Sequence, residues 1–220
     1  MIKVMNNSNV IKQIVRNGYN QCARIYAENR RLDDSDQVIP LLNMLPEGSS
    51  VLDLGCGAGQ PITERLAECY QVTAVDISEN MINLAQANLK QVNFIDGDIS
   101  RLNLVNCKFD GAVAIFVLFH LPADEHELIF AKVWSWLNPG GYFLVTLTEE
   151  SRKACLRDDF FNTRMFWSNL GWKDYEEIIT RIGFKIVGEK IYGRCYGNNS
   201  QEIDRRNPLV LLQKPVDLHM

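Results

Sequence analysis

Residues 51–60 read Val-Leu-Asp-Leu-Gly-Cys-Gly-Ala-Gly-Gln, and they predict a buried parallel β-strand that runs into a glycine-rich turn. Asp53 is the only polar interruption of that strand. Pro61 then lies in the first turn of a predicted helix, where its missing N–H group costs nothing. A strand, a glycine turn and a helix N-terminus bring backbone N–H groups close to the polar end of a ligand. Glycine suits such a turn because a Cβ atom would block the ligand or oppose a positive φ angle.

The spacing of the three glycines distinguishes two kinds of nucleotide site. Gly55, Gly57 and Gly59 form Gly-x-Gly-x-Gly, whereas the dinucleotide fingerprint is Gly-x-Gly-x-x-Gly, and Gln60 stands where its third glycine would fall. Asp-x-Gly-x-Gly-x-Gly resembles the first motif of the class I S-adenosyl-L-methionine (SAM) dependent methyltransferases. The resemblance implies that this loop passes under the methionine part of SAM. It also implies an α/β fold with a Rossmann-like seven-stranded, mostly parallel sheet, helices on both faces and an antiparallel last strand.

Two acidic residues follow the next predicted strands and suggest how a nucleoside is held. Asp76 ends the strand that begins at Gln71, where a carboxylate accepts hydrogen bonds from a ribose diol of either NAD or SAM. The sequence around Asp76 resembles the second motif of the methyltransferases. Asp98 follows the strand 93–96, and the resemblance implies that it binds the adenine amino group. The apolar cofactor contacts that the resemblance implies are Ile77, Met81, Ile99 and Ile115.

Residues 10–31 have helical periodicity, and Gly18 indicates a break between two helices. Tyr19 and Tyr26 resemble the tyrosines of a lead-in helix that lies over the SAM pocket in small-molecule methyltransferases. The resemblance implies that both reach the methionine end of SAM. The alternative is that both belong to the core of an amphipathic helix. Residues 10–46 are therefore expected to form lid helices.

The fourth predicted strand, from Phe109, runs into a segment that ends in His120-Leu-Pro and resembles the family's fourth motif. Phe116 and Phe119 are predicted walls of the substrate pocket. His120 is the candidate general base because histidine titrates near neutral pH. The alternative is that His120 only orients the turn, and no other residue in the sequence is clearly placed to orient its imidazole. His126, in the next helix, is expected to face solvent.

Residues 148–172 lose periodicity and gain aromatic residues, which predicts an irregular substrate-cap insert. Phe166 and Trp167 are the predicted substrate contacts there, and the segment around them resembles one in a small-molecule branch of the family. The alternative for Trp167 is a place in the core. Strands 184–190 and 208–214 are expected to follow, with a polar loop between them, and residues 215–220 are expected to be a tail of the single domain 1–220.

Composition limits the classes of function. The 220 residues carry a net charge of −4 without a Lys/Arg run, so a nucleic-acid partner is not expected. No apolar stretch reaches the roughly 18 residues of a membrane span, and no signal peptide is recognisable, which favours a cytoplasmic protein. Six cysteines without a Cys-x-x-Cys pair and three histidines argue against a metal site. A monomer or homodimer is expected.

The resemblance therefore implies a methyltransferase that moves a methyl group from SAM to an oxygen, nitrogen or activated carbon of a small molecule and releases S-adenosyl-L-homocysteine (SAH). One alternative is a SAM-binding protein that transfers no methyl group, either a partner subunit or an enzyme of another SAM-dependent reaction. A second alternative, an NAD-dependent reductase, lacks its glycine fingerprint and a Tyr-x-x-x-Lys pair. The sequence does not name the substrate.

Overall fold

The computed structural model describes residues 7–29, 32–105, 107–194 and 203–216. These residues form six α-helices and nine β-strands. The helices are α1 (Ser8–Glu28), α2 (Ile39–Leu42), α3 (Ile62–Ala67), α4 (Glu79–Asn88), α5 (His126–Trp136) and α6 (Trp172–Ile182). The strands are β1 (Ser50–Leu54), β2 (Gln71–Asp76), β3 (Asn93–Asp96), β4 (Phe109–Ala114), β5 (Leu137–Thr146), β6 (Arg152–Phe160), β7 (Thr163–Asn169), β8 (Lys185–Arg194) and β9 (Ile203–Gln213).

Seven of the strands form one sheet in the order β3-β2-β1-β4-β5-β9-β8. The first five of these are mutually parallel, with Val51 of β1 between Val72 of β2 and Gly111 of β4. β9 is antiparallel to both β5 and β8, and β3 and β8 are the two edge strands. The predicted fold class is confirmed. Because the order reverses between β1 and β4, the carboxyl ends of these strands border a crevice where such sheets bind ligands.

Two buried clusters cover the two faces of the sheet. One joins α5 and α6 to the sheet and contains Phe130, Phe143 and Tyr175. The other joins α2, α3 and α4 and contains Leu66 and Leu144. Because both faces are covered, the sheet is a rigid support for the loops at its carboxyl edge.

None of the helices in the described residues is long and apolar enough to cross a membrane.

Helix α1 is continuous, and the predicted break at Gly18 is wrong. A Cβ atom on Gly18 would lie 2.8 Å from the carbonyl oxygen of Arg164 and 2.9 Å from Met165 Cε. Glycine is therefore needed here for close packing between α1 and β7, not for a change of chain direction. The Asn7 side chain caps the helix by accepting hydrogen bonds from the N–H groups of Asn9 and Val10.

The predicted irregular insert is instead an antiparallel hairpin of β6 and β7. Its turn residues, Phe161 and Asn162, have φ angles of 48° and 59°, as a tight two-residue hairpin turn requires. Met165 and Phe166 are adjacent in β7 and are both buried. Since adjacent side chains point to opposite faces of a strand, this strand is covered on both faces and shows no polar–apolar alternation.

The carboxyl-terminal strands are longer than predicted. β8 continues to Arg194 and β9 begins at Ile203, so both ends of the predicted loop are strand. Residues 195–202, the middle of that loop, lie outside the described residues, as do residues 217–220 of the predicted tail.

Candidate functional site

A cleft lies at the carboxyl ends of β1, β2 and β4, and α1 contributes one of its walls. The empty space of the cleft, its open mouth included, measures about 990 Å³. The sequence-predicted residues that line it are Tyr19, Tyr26, Gly55, Gly57, Asp76, Ile77, Asp98, Ile99, Ile115, Phe116 and His120. Lining residues that sequence reasoning missed include Lys12, Val15, Asp53, Cys56, Val117 and Leu121.

The three loop glycines all have positive φ angles, of 75°, 56° and 84°, but they serve different purposes. A Cβ atom on Gly55 would lie 2.9 Å from Val117 Cγ1, and one on Gly59 would lie 2.9 Å from Leu89 Cδ1. These two glycines permit close packing within the protein, and Gly59 is not among the lining residues. A Cβ atom on Gly57 would meet nothing within 4 Å. Gly57 therefore leaves open space in the cleft, as a closely approaching ligand requires.

Asp76 connects the end of β2 to the glycine loop. Gly57 N–H donates to its Oδ2 atom and Ser78 N–H donates to its Oδ1 atom, both at 2.8 Å. Burial raises the pKa of the Asp76 carboxyl to about 6, although these two backbone donors act in the opposite direction, and the charge of Asp96 raises it further. Each carboxylate oxygen can accept more than one hydrogen bond, so both retain capacity for a ligand hydroxyl.

Asp53 is a second buried acid in the cleft. The Thr63 hydroxyl donates to its Oδ2 atom at 2.7 Å. Burial raises the pKa of the Asp53 carboxyl to about 7, the Thr63 hydrogen bond lowers it, and the charge of Asp76 raises it. The sequence contained one indication that Asp53 belongs to the site: it is the single polar residue within an apolar strand.

His120 and Tyr19 form a hydrogen-bonded pair in the cleft. His120 Nε2 lies 2.8 Å from Tyr19 Oη, and His120 Nδ1 lies 3.0 Å from the carbonyl oxygen of Phe166. Because a carbonyl only accepts, Nδ1 carries the hydrogen and Nε2 accepts from the Tyr19 hydroxyl. Burial lowers the pKa of His120 to about 4, so the imidazole is neutral at physiological pH. The expectation that nothing orients this imidazole is wrong, since a main-chain carbonyl of the hairpin does so.

Aromatic rings surround this pair. Trp167 lies 4.4 Å from the His120 ring and stacks on Phe119 at 5.2 Å between centroids. Phe160, which sequence reasoning missed, lies 5.6 Å from Tyr19 and 5.7 Å from Trp167. The Trp167 indole N–H is buried and has no hydrogen-bond partner among the described residues. Trp167 and Phe119 therefore form a second layer of rings behind His120, since neither is among the residues that line the cleft.

Three other predictions differ from what the structure shows. The Phe166 side chain, predicted to contact substrate, is 1% exposed and packs against Ile11 and Val15 of α1. The Met81 side chain is fully buried against α1 and is not a lining residue. His126 does not face solvent: its Nδ1 atom lies 3.0 Å from the Tyr175 hydroxyl, and burial lowers its pKa to about 4.

Residues 51–141 match the family model described as methyltransferase domain. Among curated proteins, the chain is 28% identical over 163 residues to the biotin biosynthesis bifunctional protein BioHC of Teredinibacter turnerae, covering 65% of this chain and 28% of that protein. It is 35% identical over 114 residues to the carboxy-S-adenosyl-L-methionine synthase of Shewanella sp. (strain ANA-3), covering 47% of this chain and 45% of that protein. The chain thus spans less than half the length of these curated relatives.

The fold is also similar to solved structures. One is the crystal structure of 1,6-didemethyltoxoflavin-N1-methyltransferase from Burkholderia thailandensis with bound 1,6-didemethyltoxoflavin and S-adenosylhomocysteine. The TM-score is 0.69 at 19% identity, over 95% of this chain and 91% of that chain. This likeness establishes the fold. The methyltransferase-domain match covers the strands, the glycine loop and the acidic residues that build the cleft. Residues 51–141 thus match a methyltransferase domain, within a chain that has the fold of a methyltransferase solved with bound S-adenosylhomocysteine.

Proposed function

We propose that the protein transfers the methyl group of SAM to an oxygen, nitrogen or activated carbon atom of a small molecule. The observation that carries this proposal is the Tyr19–His120 pair, which lines the same cleft as the open space beside Gly57. A neutral imidazole that already accepts a hydrogen bond at Nε2 can take up a proton. The cleft thus combines an open glycine loop with a group that could activate an acceptor.

The lining residues suggest how SAM would lie in the cleft. The loop at Gly57 would pass under the methionine part, with Tyr19 and Tyr26 of α1 over it. Asp76 would accept hydrogen bonds from the two ribose hydroxyls. Asp98 would accept one from the adenine amino group, and Ile77, Ile99 and Ile115 would provide apolar contacts.

Bound SAM would supply a methyl group on a positively charged sulfonium, which leaves by in-line displacement. The protein's task is then to orient the acceptor, exclude water and remove a proton where the acceptor carries one. In this arrangement Tyr19 Oη takes the acceptor's proton as it gives its own to His120 Nε2. The Phe166 carbonyl accepts from Nδ1–H throughout and stabilises the resulting imidazolium.

The charges of the cleft bear on the class of acceptor. Among the described residues that line it, Lys12 is the only lysine or arginine, and its ammonium contacts Asp98 and Glu125. No cation in this lining is therefore available to pair with a phosphate or carboxylate. The aromatic rings that line the cleft, Tyr19, Tyr26 and Phe116, favour a flat or positively charged group instead. We infer a neutral or cationic small molecule that is covered by α1, with the β6–β7 hairpin packed behind α1 and His120. Of the predicted lid helices 10–46, only α1 lines the cleft.

The direct test is to incubate the protein with SAM and a panel of phenols, amines and nitrogen heterocycles. Methyl transfer is expected to appear as SAH formed together with a product about 14 mass units heavier than its acceptor, the mass of one CH₂ group. A second candidate is a SAM-dependent reaction without methyl transfer, which the similarity to a carboxy-S-adenosyl-L-methionine synthase favours. Tight SAM binding with no SAH formed from any acceptor would support that candidate.

SAH affinity is expected to fall below about pH 6. Ribose hydroxyls donate to the ionised form of Asp76, whose pKa in the free protein is about 6. Below that pH the free carboxyl is protonated, so binding must release a proton and Kd rises roughly tenfold per pH unit. Titration calorimetry from pH 5 to 8 measures this.

The Asp76→Asn variant provides the control for this titration. It should bind SAH more weakly at pH 8 and no longer show the increase of Kd below about pH 6. If Kd still increases as the pH falls, with a midpoint near pH 7, that increase would belong to the protonation of Asp53. A Kd for the parent protein that is constant from pH 5 to 8 would show that no ribose hydroxyl donates to Asp76.

A further inference from the structure

Lys12 of α1 is a buried cation beside the proposed adenine site. The residue is 8% exposed. Its ammonium donates to Ser100 Oγ at 2.5 Å and lies 3.3 Å from Asp98 Oδ2 and 2.6 Å from Glu125 Oε2. The Ser100 contact is a hydrogen bond, and the contacts with the two carboxylates are ion pairs. The positive charge of Lys12 is therefore already paired within the protein, and we expect it to act on a ligand through these neighbours.

These contacts cross-link three separate parts of the chain. Ser100 and Asp98 belong to the loop after β3, and Glu125 belongs to the short turn that precedes α5. Ser8, at the start of α1, also donates to Glu125. A buried lysine with this many partners is costly to disturb, because removing it leaves two carboxylates, 12% and 18% exposed, without their shared cation. Lys12 thus fixes the loop after β3 relative to α1.

Asp98 is held from two sides by this arrangement. Its Oδ1 atom accepts from Ser100 N–H at 2.9 Å, and its Oδ2 atom faces Lys12, with Arg101 Nε at 3.6 Å. A carboxylate offers about four lone-pair positions, so a donor in the cleft can still bind. The 6-amino group of adenine is such a donor. The 6-oxo group of hypoxanthine is an acceptor, and a fixed carboxylate repels it.

We propose that Lys12 is a positioning residue that holds Asp98 for recognition of the adenine amino group, so that α1 determines selectivity for adenine as well as covering the cleft. This inference rests on the placement of adenine beside Asp98 under the proposed function. If the inference is right, a variant without Lys12 loses affinity for a ligand with the 6-amino group, and loses less affinity for the same ligand with a 6-oxo group.

Calorimetry with two ligands tests this. One ligand is SAH, and the other is S-inosyl-L-homocysteine, in which the adenine amino group is replaced by an oxo group. The parent is expected to prefer SAH by at least about tenfold, the value of one charge-assisted hydrogen bond. Lys12→Met should lose most of that preference by binding SAH about tenfold more weakly, with a smaller change for the inosyl ligand.

The matched control is Arg16→Met. Arg16 is a cation one turn further along α1, 40% exposed and 3.8 Å from Asp96 Oδ1, and it is not a lining residue. It should keep the parent's preference. If Lys12→Met weakens both ligands by the same factor, or neither, the positioning role is overturned. If the single variant does not fold, the double variant Lys12→Met/Glu125→Gln, which also removes the negative charge of Glu125, takes its place.

Asp98→Ala separates the inference from its premise. If Asp98→Ala loses the preference for SAH while Lys12→Met keeps it, adenine lies beside Asp98 but Lys12 does not position it. If the parent shows no preference, or if Asp98→Ala retains the parent's preference, the placement of adenine itself is wrong. Loss of the preference in both variants, with Arg16→Met unchanged, is the expected result.

Discussion

Replacing Tyr19 by Phe or His120 by Asn is expected to lower kcat by about two to four orders of magnitude, the range of general base catalysis. The reason is the geometry of the pair: the Phe166 carbonyl holds Nδ1–H, which leaves Nε2 as the acceptor for Tyr19 Oη. Asn is chosen because its amide can still donate to that carbonyl. Rates at saturating SAM and acceptor measure the effect, and SAH affinity of His120→Asn should change little.

The double variant distinguishes a catalytic pair from two independent contributions. When two residues act as a unit, the effects of their substitutions on the rate do not add. The double variant Tyr19→Phe/His120→Asn should therefore be about as slow as the slower single variant. Tyr70→Phe is the control, because the Tyr70 hydroxyl contacts main-chain carbonyls near α2, away from the cleft. Rates near the parent value in both single variants would show that the imidazole only supports the turn.

The pH profile of kcat gives an independent check on His120. The base is active in its neutral form, and burial lowers its pKa to about 4. The acid limb that belongs to His120 is therefore expected near pH 4 and not near the 6.5 of an exposed histidine. A limb near 6.5 that disappears in His120→Asn would show that the imidazole is solvated during turnover.

Gly57→Ala is expected to weaken SAH binding by roughly ten- to hundredfold while the domain stays folded. The added methyl group would project into open space of the cleft, where nothing lies within 4 Å in the free protein. It would meet a ligand there. The φ angle of 56° costs alanine about 1–2 kcal/mol of stability, so the free energy of unfolding must be measured together with Kd.

Gly48→Ala is the matched control for this substitution. Gly48 also has a positive φ angle, 83°, and a Cβ atom on it would likewise meet nothing within 4 Å, but it lies in the turn before β1, outside the cleft. It should show the same loss of stability with unchanged SAH affinity. Equal SAH affinities for Gly57→Ala, Gly48→Ala and the parent would mean that the ligand does not approach this part of the loop.

Sequence reasoning succeeded where the signal is local. The strand before Gly55, the glycine spacing and the acid at the end of β2 each occupy a few consecutive residues, so residue types alone were enough to predict them. Asp76 lies 19 residues from Gly57, within one β-α-β unit, so its place beside the loop follows from the connectivity of that unit. The fold class followed from the resemblance of these motifs to those of the SAM-dependent methyltransferases.

Sequence reasoning failed where burial depends on a distant element. The β6–β7 hairpin was predicted as an irregular segment because a strand covered on both faces lacks the alternation that identifies strands. Gly18 was interpreted as a helix break because its close contact with Arg164 is invisible along the chain. His126 was expected to face solvent, yet its partner Tyr175 is 49 residues away.

The amino-acid sequence by itself determined the α/β fold, the glycine loop and the acids that follow β2 and β3, since these depend on backbone conformation and strand order. Only the tertiary structure decided which side chains complete the cleft. Lys12 meets Ser100 across 88 residues and Tyr19 meets His120 across 101, and the carbonyl that orients His120 carries no residue-type signal. Such contacts arise when α1 and the hairpin pack against the sheet, which no local pattern encodes.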